Sequence, residues 1–200
     1  MKRGATRERI VRTAMELFRD KGYGSTSIAD ILGRSQVNSG SLYHFFPGKQ
    51  DLLIAVLDAY RDGIGPMLLE PAWGDEADPV ERVFRLLGAY RTSLAATECR
   101  YGCPIGSLAL ELHEADPSVR ERLAANFGAW VAAVRGCYEA VAERFAADTD
   151  FQALAELTLT VMEGGVMQAR THRDLGPFDR GVAQLRRHVT FLTQKEGSPA

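Results

Sequence analysis

Cysteine is scarce in this chain of 200 residues: only Cys99, Cys103 and Cys137 occur, an odd and widely spaced set. Such a set is poor material for a secreted disulfide framework, so reduced thiols are expected. Cys99 and Cys103 with the distant His113 form an incomplete ligand set, and no metal is expected there; a redox pair is the alternative for these two thiols. No apolar run approaches the roughly 18 residues needed for a membrane helix. Met1 to Arg12 is basic and polar with no apolar stretch behind it, unlike a secretory leader. A cytoplasmic protein with no membrane partner is therefore expected. Also missing are a nucleophile-base-orienter pattern and a phosphate-cradling glycine loop, so an enzyme has no positive support and no cofactor is expected. Strand-like alternation persists nowhere.

What is present is ordinary globular composition, 46% hydrophobic and 25% charged, which excludes wholesale disorder. The net charge of −2 hides an uneven distribution. Residues 1–50 carry nine Lys/Arg and four Asp/Glu, a balance of +5, and the other 150 residues carry 15 basic and 22 acidic ones, a balance of −7. A basic head on an acidic body suits a polyanion-binding module joined to a sensing or assembly domain.

Periodicity is helical almost throughout. Ile10, Ala14, Leu17 and Phe18 mark one face of a helix near 6–21, which Gly22 and Gly24 stop. Ser27 with Asp30 three positions on is a capping-box start for a short helix through Ile28, Ile31 and Leu32. Ser35-Gln36-Val37 reads as a turn. Asn38 can cap the next short helix, to about Phe45, and Pro47-Gly48 ends it. Leu52, Leu53, Val56, Leu57 and Tyr60 form a fourth stripe, and Gly63 to Asp78 reads as a polar boundary. Asp78-Pro79 and Asp116-Pro117 each place a cap before a proline at the first helical position. The second opens the longest periodic run, Val119 to Phe145. Shorter helices are expected from Pro104 to about Glu114, near 150–171 and near 179–193. The fold class is all-α: an N-terminal three-helix domain, 1–62, and a larger helical bundle, 63–200.

Ser27 to Phe46 carries the chemistry. A short helix, a tight turn and a second short helix let the second lie in a major groove about 12 Å wide while the first braces it across the backbone. Asn38, Ser39 and Ser41 are small polar residues placed for base edges. Thr26, Ser27, Tyr43, His44 and Lys49 are placed for phosphates, and Leu42 and Phe45 are spaced to face the core. The partner these residues imply is double-stranded DNA.

The run from Ile10 to Leu53, above all GSLYHFFPGKQDLL at Gly40 to Leu53, resembles the N-terminal domain of the TetR family of regulators. It departs at Gln36, where the family commonly has glycine, so the turn rests on an amide residue in a less comfortable backbone conformation. GCPIGSLALEL at Gly102 to Leu112 is similar to a segment of the LmrA/YxaF-like subgroup. The resemblance implies a two-fold homodimer, a C-terminal ligand cavity, and repression at an operator relieved by a small organic molecule. The rival is a small helical enzyme or ligand carrier.

For the dimer, Phe178, Val182, Leu185, Val189 and Leu192 offer one face and Leu154, Leu157, Val161 and Gly165 a second. For the effector, an apolar or aromatic small molecule, Tyr90, Leu94, Phe127, Trp130, Tyr138, Met162 and Gln168 supply aromatic walls with hydroxyl and amide handles. Gly164-Gly165 inside an apolar helix suggests close helix approach. Glu111, His113, Glu114 and Asp116 read as a solvated helix end.

Overall fold

The computed structural model describes residues 2–194, with side chains from residue 4 onward; the outermost residues of both expected domains lie outside that range. The described residues are helical from end to end of the order: α1 Lys2–Lys21, α2 Ile28–Ser35, α3 Ser39–Phe45, α4 Lys49–Ile64, α5 Glu70–Trp73, α6 Pro79–Ala96, α7 Pro104–Glu111, α8 Pro117–Glu139, α9 Phe151–His172 and α10 Gly176–Thr193. The all-helical expectation holds among them.

Gly63 to Asp78, where the sequence reads as a boundary, is largely helical: α4 runs on to Ile64, a π-helical turn covers Gly65–Leu69, and α5 follows directly. Pro66 and Pro71 lie inside this continuous helical path, where neither can donate a backbone N–H, and the π-helical turn spans the first of them. The long run from Val119 is not one helix. α8 stops at Glu139, a 3-10 turn spans Ala142–Arg144, and Phe145 is buried beyond it, edge-on to Tyr138 at 5.8 Å and to Phe151 at 5.3 Å.

The chain forms two compact units. The first joins the residues up to Gly63 with Cys103–Phe127; the second joins Ile64–Gly102 with the residues from Gly128 on. The first unit is centred on Ile10, Leu17 and Phe18 of α1, Ile31 of α2, Leu42 of α3, Phe46, and Leu52, Leu53 and Val56 of α4, all buried. Segment 103–127 belongs with this head for polar as well as apolar reasons. Asn126 donates from Nδ2 to the carbonyl of Leu57 at 3.0 Å, and Arg122 pairs with Asp58 at 3.4 Å.

The second unit packs around Val83, Phe84, Leu86 and Leu87 of α6, Trp130, Val134 and Tyr138 of α8, Met162 and Val166 of α9, and Phe178, Leu185 and Val189 of α10. Asp78 caps α6 as expected, accepting from the amide of Val80 at 2.8 Å, and its other oxygen binds Arg144 at 2.7 Å. Gly165 is needed where α9 meets α10: a Cβ there would lie 2.9 Å from Cδ2 and 3.2 Å from Cα of Phe178. Gly164 has open space around it.

This packing removes part of the expected dimer face and leaves Leu157 of its second half exposed. Phe178, Leu185 and Val189 are covered by the chain's own core, Leu185 to 3% exposure, and Leu154 and Gly165 are buried with them. The four-and-three spacing of an apolar stripe is the same whether an internal or an external partner covers it, so spacing could not choose.

Candidate nucleic-acid interface

The reading head is assembled from local rules. At the start of α2 the Ser27 hydroxyl accepts from the amide of Asp30 at 3.0 Å, and Asp30 Oδ2 accepts from the amide of Ser27 at 2.9 Å, a complete capping box. The backbone and hydroxyl of Ser27 and the ammonium of Lys21 hold the Asp30 carboxyl down at about 2. α2 ends at Gln36, which takes the left-handed conformation, φ 53°, and donates its N–H to Leu32 O. The expected strained amide turn is what forms. Asn38 then caps α3, its Oδ1 accepting from the amide of Ser41 at 2.8 Å.

Leu42 is fully buried beneath α3 and anchors it. The second core contact is Phe46, just past the helix, rather than the expected Phe45, which is only half-buried. The extended conformation of Phe46, φ −136°, turns the chain so that its ring points inward. Asn38, Ser39, Tyr43 and His44 are exposed on the other side, Tyr43 to 52%, and Ser41 is half-buried. α3 therefore offers a short helix, fixed from below, with a polar outer face.

Thr26 is differently placed from the phosphate contact expected of it. It is buried, and its hydroxyl donates to Gly22 O at 2.7 Å, which fixes the loop before α2. The Ser27 hydroxyl is exposed but committed to the capping box. Lys49 begins α4 half-buried, with Nζ 4.2 Å from the centre of the Tyr23 ring and 3.5 Å from Gly24 O. Desolvation there lowers its pKa, while the charge of Glu111 acts to raise it.

Two head residues had no signal in the sequence pattern. Arg7 of α1 is exposed, with its guanidinium 5.3 Å from the centre of the Phe46 ring, which holds a cation beside the end of α3. Glu111, from the cluster expected to be a solvated helix end, accepts from the amide of Tyr23 at 2.9 Å through Oε2 and from that of Gly24 at 2.6 Å through Oε1. Burial first and the Glu111 charge second push the Tyr23 hydroxyl up.

The expected effector residues divide. Leu94, Trp130, Tyr138 and Met162 share the core of the second unit, with Tyr90 partly buried against it. Tyr138 is fully enclosed, its hydroxyl 3.1 Å from that of Thr158, which itself donates to Leu154 O. The buried indole N–H of Trp130 has no hydrogen-bond partner among the described residues. Phe127 falls in the first unit and Gln168 is exposed, because the helical stripe that suggested them runs across both units and off the covered face of α9. A cavity of about 720 Å³ in the second unit is lined by Glu98, Cys99, Arg100, Arg173 and Asp174 among others, and by none of the expected effector set. No three His, Cys, Asp or Glu side chains among the described residues gather as metal ligands. No described helix is long and apolar enough to cross a membrane.

Comparison with known proteins adds to this geometry. The profile described as "Bacterial regulatory proteins, tetR family" matches residues 10–56, and "Tetracyclin repressor-like, C-terminal domain" matches residues 79–185. The chain is 35% identical over 185 residues to the uncharacterized HTH-type transcriptional regulator Rv0196 of Mycobacterium tuberculosis, covering 90% of this chain and 92% of that one. It is 30% identical over 196 residues to the uncharacterized HTH-type transcriptional regulator YxaF of Bacillus subtilis, covering 98% of each. The crystal structure of regulatory protein TetR from Rhodobacter sphaeroides superposes with a TM-score of 0.80 at 28% identity, covering 90% of this chain and 97% of that one.

Proposed function

The chain belongs to the tetR family of bacterial regulatory proteins, a DNA-binding transcriptional regulator, and from that premise we propose that it is a cytoplasmic homodimeric repressor that leaves its operator when a small organic ligand binds the second unit. The observation that carries the operator reading is α3: buried Leu42 below, and Asn38, Ser39, Tyr43 and His44 exposed above. Asn38, Ser39 and Ser41 read base edges; Tyr43, His44, Lys49 and Arg7 meet phosphates. Positioning contacts carry no sequence information, so the two sets fail differently.

The dimer reading rests on the faces of α9 and α10 that the chain leaves uncovered. Leu157 and Met167 on α9 are 41% and 51% exposed, and Phe191 on α10 is 72% exposed. Two helices from each protomer form a four-helix interface about a two-fold axis, which suits half-sites about 34–36 Å apart.

The effector reading rests on Trp130. An apolar core holding an unpartnered indole donor suits an uncharged, planar ligand that carries a hydrogen-bond acceptor. Such a ligand shifts the equilibrium only by its differential affinity for the DNA-free form.

The test is titration of the protein with a duplex enriched from a random library and with a scrambled duplex. Lys49→Ala is expected to weaken both and to flatten the salt slope by about one unit. Asn38→Ala is expected to weaken the enriched duplex selectively. The reverse pattern would exchange the two roles, and no preference by the wild-type protein would end the operator reading.

A further inference from the structure

The match to the C-terminal family domain spans residues 79–185, yet residues 103–127 within it are compact with the head. Within that segment Glu111, the last residue of α7, reaches the loop before α2. Its two carboxylate oxygens are divided between two successive amides, Tyr23 and Gly24, in the loop that leads into α2. The loop is shaped for that carboxylate. Gly22 holds a φ of +85°, and a Cβ at Gly22 or Gly24 would stand 3.0 Å or 3.1 Å from a Glu111 oxygen. The same loop carries Tyr23, on whose ring Lys49 rests, and Thr26, which closes it onto Gly22 O. α2 follows at once through the Ser27 capping box.

We propose that Glu111 is a positioning residue for DNA binding: its carboxylate clamps the loop before α2 and thereby sets the pose of α2, α3 and Lys49, so operator affinity depends on a residue of α7 that lies outside the reading helix. A carboxylate is required rather than any polar group. Its two oxygens accept from two amides at once, whereas a glutamine amide has one acceptor and turns its N–H₂ donors against the second amide. A displacement of the end of α7 is carried to α2 through these two bonds. The inference rests on the operator reading above and adds a control point to it.

The experiment uses the full chain with Glu111→Gln, Glu111→Ala and Gly24→Ala, alone and with the last two combined. Each protein is titrated with the duplex enriched by the wild type and with a scrambled duplex of the same base composition, and amide exchange is followed at Tyr23 and Gly24. Glu111→Gln is expected to lose about five- to tenfold in affinity for the enriched duplex, in line with the net loss of one exposed hydrogen bond, with a smaller loss for the scrambled duplex, whose phosphates Lys49 also meets, and faster exchange at both amides. Gly24→Ala, which displaces the carboxylate from the opposite side, is expected to reproduce that loss and to add nothing in the Glu111→Ala background. Wild-type affinity in folded Glu111→Gln, an equal loss for both duplexes, or a full additional cost of Gly24→Ala in the Glu111→Ala background overturns the proposal. A wild-type protein that enriches no duplex at all overturns the operator reading instead.

Discussion

Asn126, buried on α8, donates from one amide nitrogen both to the carbonyl of Leu57 on α4, at 3.0 Å, and to Arg122 O one turn back on its own helix, at 2.9 Å. The bond spans 69 residues of sequence and ties segment 103–127 to the head. Asn126→Ala removes the donor and leaves an acceptor without this partner in a closed site, so the head should lose about 1–3 kcal/mol. Urea unfolding followed by circular dichroism would measure it; an unchanged midpoint would mean that water replaces the amide at no cost.

Gln36 pays for the turn between the two reading helices with a left-handed backbone, φ 53° and ψ 41°. Glycine adopts that conformation freely, although it loses more freedom on folding. Gln36→Gly should therefore stabilise the chain by about 0.5–1 kcal/mol, and Gln36→Val should destabilise it by a larger amount, since branching at Cβ opposes positive φ. A thermal melt of the two variants checks the order, and a reversed order would show that the Gln36 side chain holds the turn.

Stability should fall at both ends of the pH scale for opposite reasons. The Asp30 carboxyl is lowered from 3.8 to about 2, so the capping box contributes fully above about pH 4 and is lost as pH falls toward 2. Ser27→Ala, which keeps the amide and loses only the hydroxyl, should weaken that acid dependence, and Asp30→Asn should remove it. Burial raises the Tyr138 hydroxyl from 10.0 to about 12, and that of Tyr60 likewise. A raised tyrosine contributes its stability below pH 10 and loses it as pH climbs through 12, about 3 kcal/mol for Tyr138. Tyr138→Phe should flatten the alkaline limb in chemical denaturation; a limb of unchanged slope would assign it to other groups.

Substitutions on α10 should separate fold from assembly. Leu185→Glu places a charge in the chain's own core and should prevent folding, whereas Phe191→Glu alters an exposed position and should leave a folded monomer. Circular dichroism with sedimentation velocity distinguishes the two. A dimer that survives both Phe191→Glu and Leu157→Glu would move the interface to another surface.

The local devices of the head were legible in the sequence because each is written within a few residues: Ser27 with Asp30, Asn38 before α3, and Gln36 where a glycine would be easier. The fold class followed from periodicity for the same reason. What was not legible depends on long separations. Nothing in the acidic run at Glu111 distinguishes a solvated end from a clamp whose amides lie 87 and 88 residues away. The stripe on α10 is equally consistent with a core and with a dimer.

The charges of the head bear on how it finds its site. Arg19 faces Asp20 at 3.0 Å, Lys21 faces Asp30 at 3.1 Å, and Arg34 faces Glu16 at 3.1 Å, all within the first unit. A cation already beside a carboxylate must leave it before neutralising a phosphate, which reduces the gain from counterion release on arbitrary DNA. With three of the nine Lys/Arg of residues 1–50 so engaged, the salt dependence of binding to arbitrary DNA should be shallower than nine free cations would give.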